Sequence, residues 1–197
     1  MSLHITKHTS GKMRGMYSLN TNTVTNSFCI EQYNRTDADI ICHHCYSYRS
    51  LNSYRKNCQQ AFQRNSDILA SDKPIDIPVI NHTYFRFHSH GELINDEHFI
   101  KYCEIADGNP RTTFALWTKQ CGVVRQNMEF VPNNMILIYS NPSIDNVMSR
   151  PPRGFHRVFN NVSKKHDGHA NCTGQKCIEC LVCYQFGGEE VIIEHQK

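Results

Sequence analysis

The sequence predicts a single α/β domain, residues 1–197, built on a mainly parallel β-sheet that resembles a truncated TIM barrel. Three observations support this class. Short strand patterns alternate with helix patterns along the chain, which is the order that right-handed β–α–β connections produce. A chain of this length is sufficient for one sizeable core and short for two. Roughly four or five β/α units can be recognised, too few for the eight of a complete barrel.

The first half of the chain is rich in turns and carries one long helical pattern. Residues 1–14 are polar and basic, and we expect them to form a flexible lead-in. A short strand is expected over 16–21, followed by turns that contain the first cysteines. From 46 to 69 the apolar residues recur at three- and four-residue spacing, which predicts a helix that Lys73-Pro74 ends.

The second half alternates more regularly. Residues 83–88 predict a strand with Phe85 and Phe87 on one face, and with Tyr84, Arg86 and His88 on the other. A helix is expected over 95–107, stopped by Gly108-Asn-Pro110. The remaining predicted strands are 113–118, 135–140, 156–159 and 191–194, with a helical stretch around 123–124 and a cysteine-rich, cluster-binding segment over 163–187.

Composition excludes some classes of protein and favours metal binding. The chain has 21 Lys and Arg against 18 Asp and Glu, a mild excess that permits nucleic-acid contact without arguing for it. No apolar run approaches the ~18 residues of a membrane-spanning helix, so no membrane partner is expected. Ten cysteines without a recognisable secretion signal favour metal over disulfides. We therefore expect a cytoplasmic location.

The densest motif holds Cys172, Cys177, Cys180 and Cys183 in twelve residues. Zinc sites usually join two Cys-x-x-Cys pairs from well-separated segments. A compact run is more typical of ferredoxin-like ligation, because a 4Fe-4S cubane takes neighbouring thiolates on different irons. The run predicts an iron–sulfur cluster, with zinc and two disulfides as alternatives. In such runs one cysteine can serve another cluster, so how the ligands divide between sites stays open.

Polar residues also follow the predicted strands, where ligands of α/β sheets bind. Each of them alone is better explained by capping or by loop hydrogen bonds, and it is their coincidence that indicates a site. The candidates around the second strand are Arg86, His88, His90, Gly91 and Glu92, and those after later strands are Thr118, Lys119, Ser140 and Asn141.

A second cysteine group, Cys29, Cys42 and Cys45, should reach the same edge of the sheet. Three thiolates on a four-iron cluster leave one iron open to a small ligand. Radical S-adenosylmethionine enzymes pair such a cluster with a glycine–glutamate segment that holds the cofactor's ammonium group. Gly91-Glu92 lies about 47 residues after Cys45, as a βα unit would place it. The twelve-residue gap between Cys29 and Cys42 departs from the short gap of those enzymes.

Several motifs together resemble one known family. They are Tyr17-Ser-Leu-Asn-Thr21, Asn26-Ser-Phe-Cys29, Cys42-His-His-Cys45-Tyr46, Arg86-Phe-His88-Ser-His-Gly91-Glu92, Trp117-Thr-Lys119 and Cys177-Ile-Glu-Cys180-Leu-Val-Cys183-Tyr184. Over about 12–195 the chain resembles the phage gene product 88 family, with a distant similarity to radical S-adenosylmethionine proteins. The resemblance implies a phage or prophage origin, and with it the host bacterial cytoplasm as the location, and it supplies no settled activity.

Two functions stay open at this stage. The first is an iron–sulfur enzyme of the radical S-adenosylmethionine type, in which Glu92 contacts the cofactor and Arg86, His88, His90 and Lys119 line its pocket. The second is a non-enzymatic binding protein, stabilised by iron–sulfur or zinc, that acts on a host or phage macromolecule. A basic series in the predicted 46–69 helix is most simply a solvated face, with nucleic-acid binding as an alternative: Arg49, Arg55, Lys56 and Arg64.

Overall fold

A computed structural model describes residues 2–36 and 39–196. Within them the chain has the predicted mixed α/β architecture, with a single, mostly parallel sheet. Its strands are β1 (Ile5–Lys7), β2 (Tyr17–Leu19), β3 (Tyr84–Phe87), β4 (Thr113–Thr118), β5 (Met135–Ile144), β6 (Arg157–Val162) and β7 (Val191–His195).

The strands lie in the sheet in the same order as in the chain. β1 pairs with β2 in antiparallel fashion, and every later neighbour pair is parallel. Consecutive parallel strands need crossover connections, and connections of one hand return on one face of the sheet. Among the described residues no ladder joins β1 to β7, so the sheet is open.

Most helices lie in the first two crossovers. The helices are α1 (Ser27–Asn34), α2 (Tyr46–Leu51), α3 (Gln59–Ala70), α4 (Asp96–Asp107), α5 (Cys121–Gln126) and α6 (Cys177–Cys180), with short 3-10 turns at Ile41–His44, Lys56–Cys58 and Met128–Phe130. Helix α4 forms as predicted, because the Asn95 side chain caps it by accepting from the backbone N–H of His98 at 3.0 Å.

The prediction of one helix over 46–69 is wrong. The chain turns after Leu51, and a second helix starts at Gln59. None of the helices in the described part of the chain has both the length and the apolar character needed to cross a membrane.

Two apolar layers cover the two faces of the sheet. On the helical face, the phenylalanines of β3 and β4 pack with residues of α3, α4 and α5; examples are Phe85, Phe87 and Phe114 with Leu69, Phe99 and Val124. The opposite face, called here the cysteine face, consists of Met13, Met16, Ala115, Trp117, Ile136, Ile138 and Tyr184, with Cys177, Leu181 and Cys183 packed against them. The cysteine-rich segment is therefore the cover of one side of the sheet.

The first described residues contact both the first and the last strands of the sheet. Ile5–Lys7 forms the edge strand β1, which was not expected within the flexible lead-in. Further on, the carbonyl of Lys12 accepts a hydrogen bond from the backbone N–H of Cys177 at 2.8 Å. The Lys12 ammonium lies 2.5 Å from a carboxylate oxygen of Glu194 in β7. The segment between β1 and β2 thus contacts both the cysteine-rich segment and the last strand.

Candidate functional site

The connection after β2 carries the first cysteine group. Cys29 lies in the first turn of α1, where its backbone N–H donates to the capping side chain of Asn26 at 3.1 Å. Cys42 lies in the following 3-10 turn. Cys45 is the N-cap of α2, and its sulfur accepts from the backbone N–H of Tyr48 at 3.5 Å. All three cysteines therefore lie in the first turn of a short helical segment or at its N-cap.

All three cysteines lie within electrostatic range of one cation, Lys119. Burial raises the pKa of Cys29, and Glu92 and Cys45 raise it further, while Lys119 acts in the opposite direction. Burial also raises the pKa of Cys42, again against Lys119. For Lys119 itself, burial disfavours the ammonium, but Cys42, Glu92, Cys45 and Cys29 outweigh it and raise the pKa. The structure therefore places three predicted ligands and two predicted pocket residues, Glu92 and Lys119, within electrostatic range of one another, and burial outweighs Lys119 in raising the pKa of Cys29 and Cys42.

The side chain of Glu92 is buried and hydrogen-bonded within the protein. Its carboxylate accepts from the Thr118 hydroxyl, from the backbone N–H of Lys119 at 2.9 Å and from its own neighbour Leu93 at 2.8 Å. Glu92 is 4% exposed, and burial raises its pKa. The carboxylate thus connects the ends of β3 and β4, and the backbone carbonyl oxygen of Glu92 accepts from Asn26 at 3.1 Å.

Gly91 makes this connection possible. It has φ +101°, and a Cβ built on it would lie 2.0 Å from the Thr21 hydroxyl oxygen and 2.8 Å from the Thr21 carbonyl oxygen. Only glycine combines this backbone with such an approach. The pair Gly91-Glu92 therefore joins three strand ends (those of β2, β3 and β4) at the cysteine patch.

The predicted histidines lie apart from one another. His88 has φ +61° and turns to the helical face, where its ring lies 5.2 Å from those of His98 and Tyr102 and burial lowers its pKa to about 3. The placement on the Arg86 face is therefore wrong for His88. His90 is engaged by the Ser47 hydroxyl at 2.9 Å and by Arg55 at 3.5 Å. In the part of the chain that the structure describes, Nε2 of His43 is buried and has no hydrogen-bond partner, which leaves an imidazole nitrogen unused beside Cys42.

The second cysteine group lies on the cysteine face. Cys177 and Cys180 begin and end α6, and Cys183 follows a left-handed Leu181. Burial raises the pKa of Cys183 to about 12 and also raises that of Cys177. Cys172 precedes α6 and lies 3.9 Å from the Lys12 ammonium. The side-chain amide of Gln175 donates to the Cys180 sulfur at 3.5 Å.

Arg86 is the cation of this second group. Its guanidinium lies 3.9 Å from the centre of the Trp117 ring, and its Nε donates to the His88 carbonyl at 3.1 Å. Burial disfavours the charge, yet Tyr184, Tyr46, Cys177 and Cys183 outweigh it and raise the pKa of Arg86. Arg86 in turn acts against the raised pKa of Cys177 and of Cys183. Each cysteine group thus has its own half-buried cation.

The cysteines are free, and those that the structure describes do not converge on one point. All ten cysteines are free. Within residues 2–36 and 39–196, no three His, Cys, Asp or Glu side chains converge closely enough to hold one metal ion. Zinc requires four ligands within about 2.3 Å of a single point. An iron–sulfur cluster distributes its thiolates over separate irons and does not need ligands that meet at one point.

Comparison with known proteins decides the family. A family model described as Gene product 88 matches residues 4–172. The chain belongs to the phage gene product 88 family. The match includes Cys29, Cys42 and Cys45 and ends at Cys172. The three cysteines that follow lie beyond it: Cys177, Cys180 and Cys183. Neither a search of curated proteins nor one of solved structures finds a match to the chain. No similarity to radical S-adenosylmethionine proteins is found in these comparisons.

Sequence reasoning about this family member misses three residues near the cysteines. Arg55 belongs to the basic series interpreted as a solvated helix face, but it lies in the turn between α2 and α3, half-buried against His90. The Asn52-Ser53 pair is a usable signal for that turn. Lys12 and Tyr46 carry no local signal, because their contacts are with residues distant in the chain.

Proposed function

We propose that this protein is an iron–sulfur protein with two cysteine-ligated centres on an incomplete TIM-like sheet. The observation that carries the proposal is the pairing of each cysteine group with a half-buried cation, Lys119 in one and Arg86 in the other. Clusters ligated by thiolates are anionic, and an anion in a half-buried site needs a nearby positive charge. The sequential order of parallel strands supports the barrel likeness.

The two centres would differ in their ligands. Cys172, Cys177, Cys180 and Cys183 supply four sulfurs, enough to complete a 4Fe-4S cluster. Cys29, Cys42 and Cys45 supply three, so a cluster there would have one iron for an exogenous ligand or for the unused nitrogen of His43. Bound clusters would supply electron transfer at both centres. The chain itself supplies N–H donors to sulfur from Tyr48 and Gln175, which raise the reduction potential of such centres.

Metal analysis of anaerobically purified protein tests the proposal. We expect a brown protein with iron and acid-labile sulfide, and Cys45→Ala should lose part of both. Cys58→Ala is the matched control, because Cys58 lies half-buried before α3 and outside both groups. A colourless protein that contains zinc and no sulfide, from cells well supplied with iron, would refute the cluster and leave zinc.

The enzyme form of the proposal adds S-adenosylmethionine at the three-cysteine centre. Its support is the placement of Gly91-Glu92 beside Cys29, Cys42 and Cys45. Against it stands the carboxylate of Glu92, which already accepts three hydrogen bonds. Added S-adenosylmethionine should change the electron paramagnetic resonance signal of one reduced cluster only. An unchanged signal with both clusters intact would reject this form.

The second candidate function is a metal-stabilised binding protein without catalysis. It is favoured by the packing of Cys177, Leu181 and Cys183 on the apolar cysteine face, where a metal would act as a structural clasp. Its partner would be a host or phage macromolecule. Three basic side chains are exposed, as nucleic-acid contact would require: Arg49, Lys56 and Arg64. Co-purification from infected cells, compared between wild type and a variant with all three changed to Gln, separates a nucleic-acid partner from a protein.

A further inference from the structure

Tyr46 and two arginines contact the 88–90 segment beside the three-cysteine group, and the space that these three side chains border is called here the recess. Tyr46 follows Cys45 directly and is 61% exposed. Its hydroxyl donates to the carbonyl of Ser89, and its ring lies 5.4 Å from that of His90. Arg86 is half-buried, and its Nε donates to the carbonyl of His88 at 3.1 Å.

Two guanidinium groups face this recess. Arg55 lies 3.5 Å from Nε2 of His90, and Arg86 extends from β3 over Trp117. Burial lowers the pKa of His8 to about 4 and of His90 to about 3, and in both cases Arg55 and Arg86 lower it further. Both imidazoles are therefore neutral, and both lie within the field of the two arginines.

One wall of the recess, formed by His8, Ser18 and Ser89, carries no charge. Ser18 and Ser89 contact Nε2 of His8 at 2.7 and 3.3 Å, so this wall is made of hydroxyls and a neutral imidazole. Polar walls of this kind supply further hydrogen-bond donors without adding charge.

The nearby carboxylates are already used. Glu194 pairs with Lys12, and Glu92 is held by the ends of β3 and β4. Throughout residues 2–36 and 39–196, neither Arg55 nor Arg86 forms a salt bridge with a carboxylate. Two half-buried cations that lack a carboxylate partner create a positive potential that an anion would complement.

We propose that this recess binds the carboxylate or phosphate group of a small ligand, held by Arg55 and Arg86 beside Tyr46. The planar guanidinium fork matches both oxyanions, since each accepts two parallel hydrogen bonds. The ligand would lie next to Tyr46, the residue that follows Cys45. This inference goes beyond the proposed function, and Arg55, which is assigned to neither cysteine group, carries it when a cluster also uses the charge of Arg86.

The chain contains its own reporter of this site. Trp117 is the single tryptophan, and Arg86 stacks on it. Tryptophan fluorescence and calorimetry should both be recorded while inorganic phosphate or malonate is added at constant ionic strength. Iron, sulfide and zinc are quantified in the same samples, so that a failure of metal loading is distinguished from a failure of anion binding.

We expect a saturable change for at least one anion. The tighter of the two identifies a phosphate or a carboxylate ligand. Arg55→Gln and Arg86→Gln should each weaken binding roughly tenfold or more, as loss of a charged hydrogen bond does. Arg111→Gln is the control, because Arg111 is exposed between α4 and β4. Arg55→Gln also serves as the test if the Arg86 variant does not fold.

Two results would overturn the inference. One is the lack of saturable binding of either anion to the folded wild-type protein. The other is unchanged affinity in the folded Arg55→Gln variant, which would place the bound anion elsewhere.

Discussion

Gly91→Ala should destabilise the protein strongly and selectively at the three-cysteine patch. An L-residue with positive φ costs about 1–2 kcal/mol, and Gly91 has φ +101°. The added methyl would also lie 2.0 Å from the hydroxyl oxygen and 2.8 Å from the carbonyl oxygen of Thr21, both too close. Overpacking of this kind costs about 1–3 kcal/mol. The free energy of unfolding should therefore fall by about 2–5 kcal/mol, a large part of the roughly 5–15 kcal/mol typical of a domain.

The assay is urea unfolding followed by circular dichroism, with metal content measured in parallel. Gly122→Ala is the matched control, because Gly122 lies in α5 and a methyl group added to it would meet nothing within 4 Å. That change should stabilise the protein by about 0.5–1 kcal/mol, since alanine is the better helix former.

The effect of Gly91→Ala should also reach the cysteines. The carbonyl of Glu92 accepts from Asn26, which caps α1 at Cys29, so a displaced 91–92 segment should reduce loading of the three-cysteine centre. Thr21→Ala in the same chain removes only the hydroxyl contact and should restore part of the stability. A loss of no more than about 0.5 kcal/mol for Gly91→Ala, as for surface substitutions, would refute this reasoning.

Three further variants test the remaining contacts. Glu92→Gln places an amide N–H₂ among donors and should cost about 1–3 kcal/mol in urea unfolding. Because burial raises the folded-state pKa of Glu92 from 4.5, the contribution of its protonation to stability is complete below pH 4.5, and the advantage of the wild type should shrink as the pH rises through the folded-state pKa. An advantage that grows over that range would contradict the assigned burial. Cys180→Ala should lower both iron content and melting temperature, because the free energy of metal binding contributes to folding. The control Cys58→Ala should change both little. Equal melting temperatures for the wild type and the Cys180→Ala variant would argue against a structural centre. Lys12→Met removes the ion pair with Glu194 and should cost about 1 kcal/mol and speed proteolysis of residues 8–16; unchanged cleavage would show that the backbone contacts alone hold this segment.

Local patterns were sufficient for the central strands. The predicted segments 83–88, 113–118 and 135–140 lie within one or two residues of β3, β4 and the start of β5. Each is a short apolar or alternating run bounded by turn residues, so the signal is contained in the segment itself. Helix α4 was predictable for the same reason, since its capping asparagine and its apolar spacing are both local.

Non-local contacts decided the elements that were missed. β1 is a strand only because it pairs with β2. β5 continues through Asn141-Pro142 to Ile144, although this pair predicts an end. The register with β6 shifts between Ser140 and Ile144, and a proline is tolerated where the ladder is already interrupted.

The sequence by itself determined the family, the α/β class and the two sets of cysteines, because each depends on spacing that can be read along the chain. The tertiary structure alone decided what surrounds those sulfurs. Lys119 comes to Cys42, and Arg86 to Cys183, through neighbouring strands and a cover folded over one face of the sheet. Between residues so far apart in the chain, the charge that a thiol experiences depends on packing in space, which no local pattern encodes.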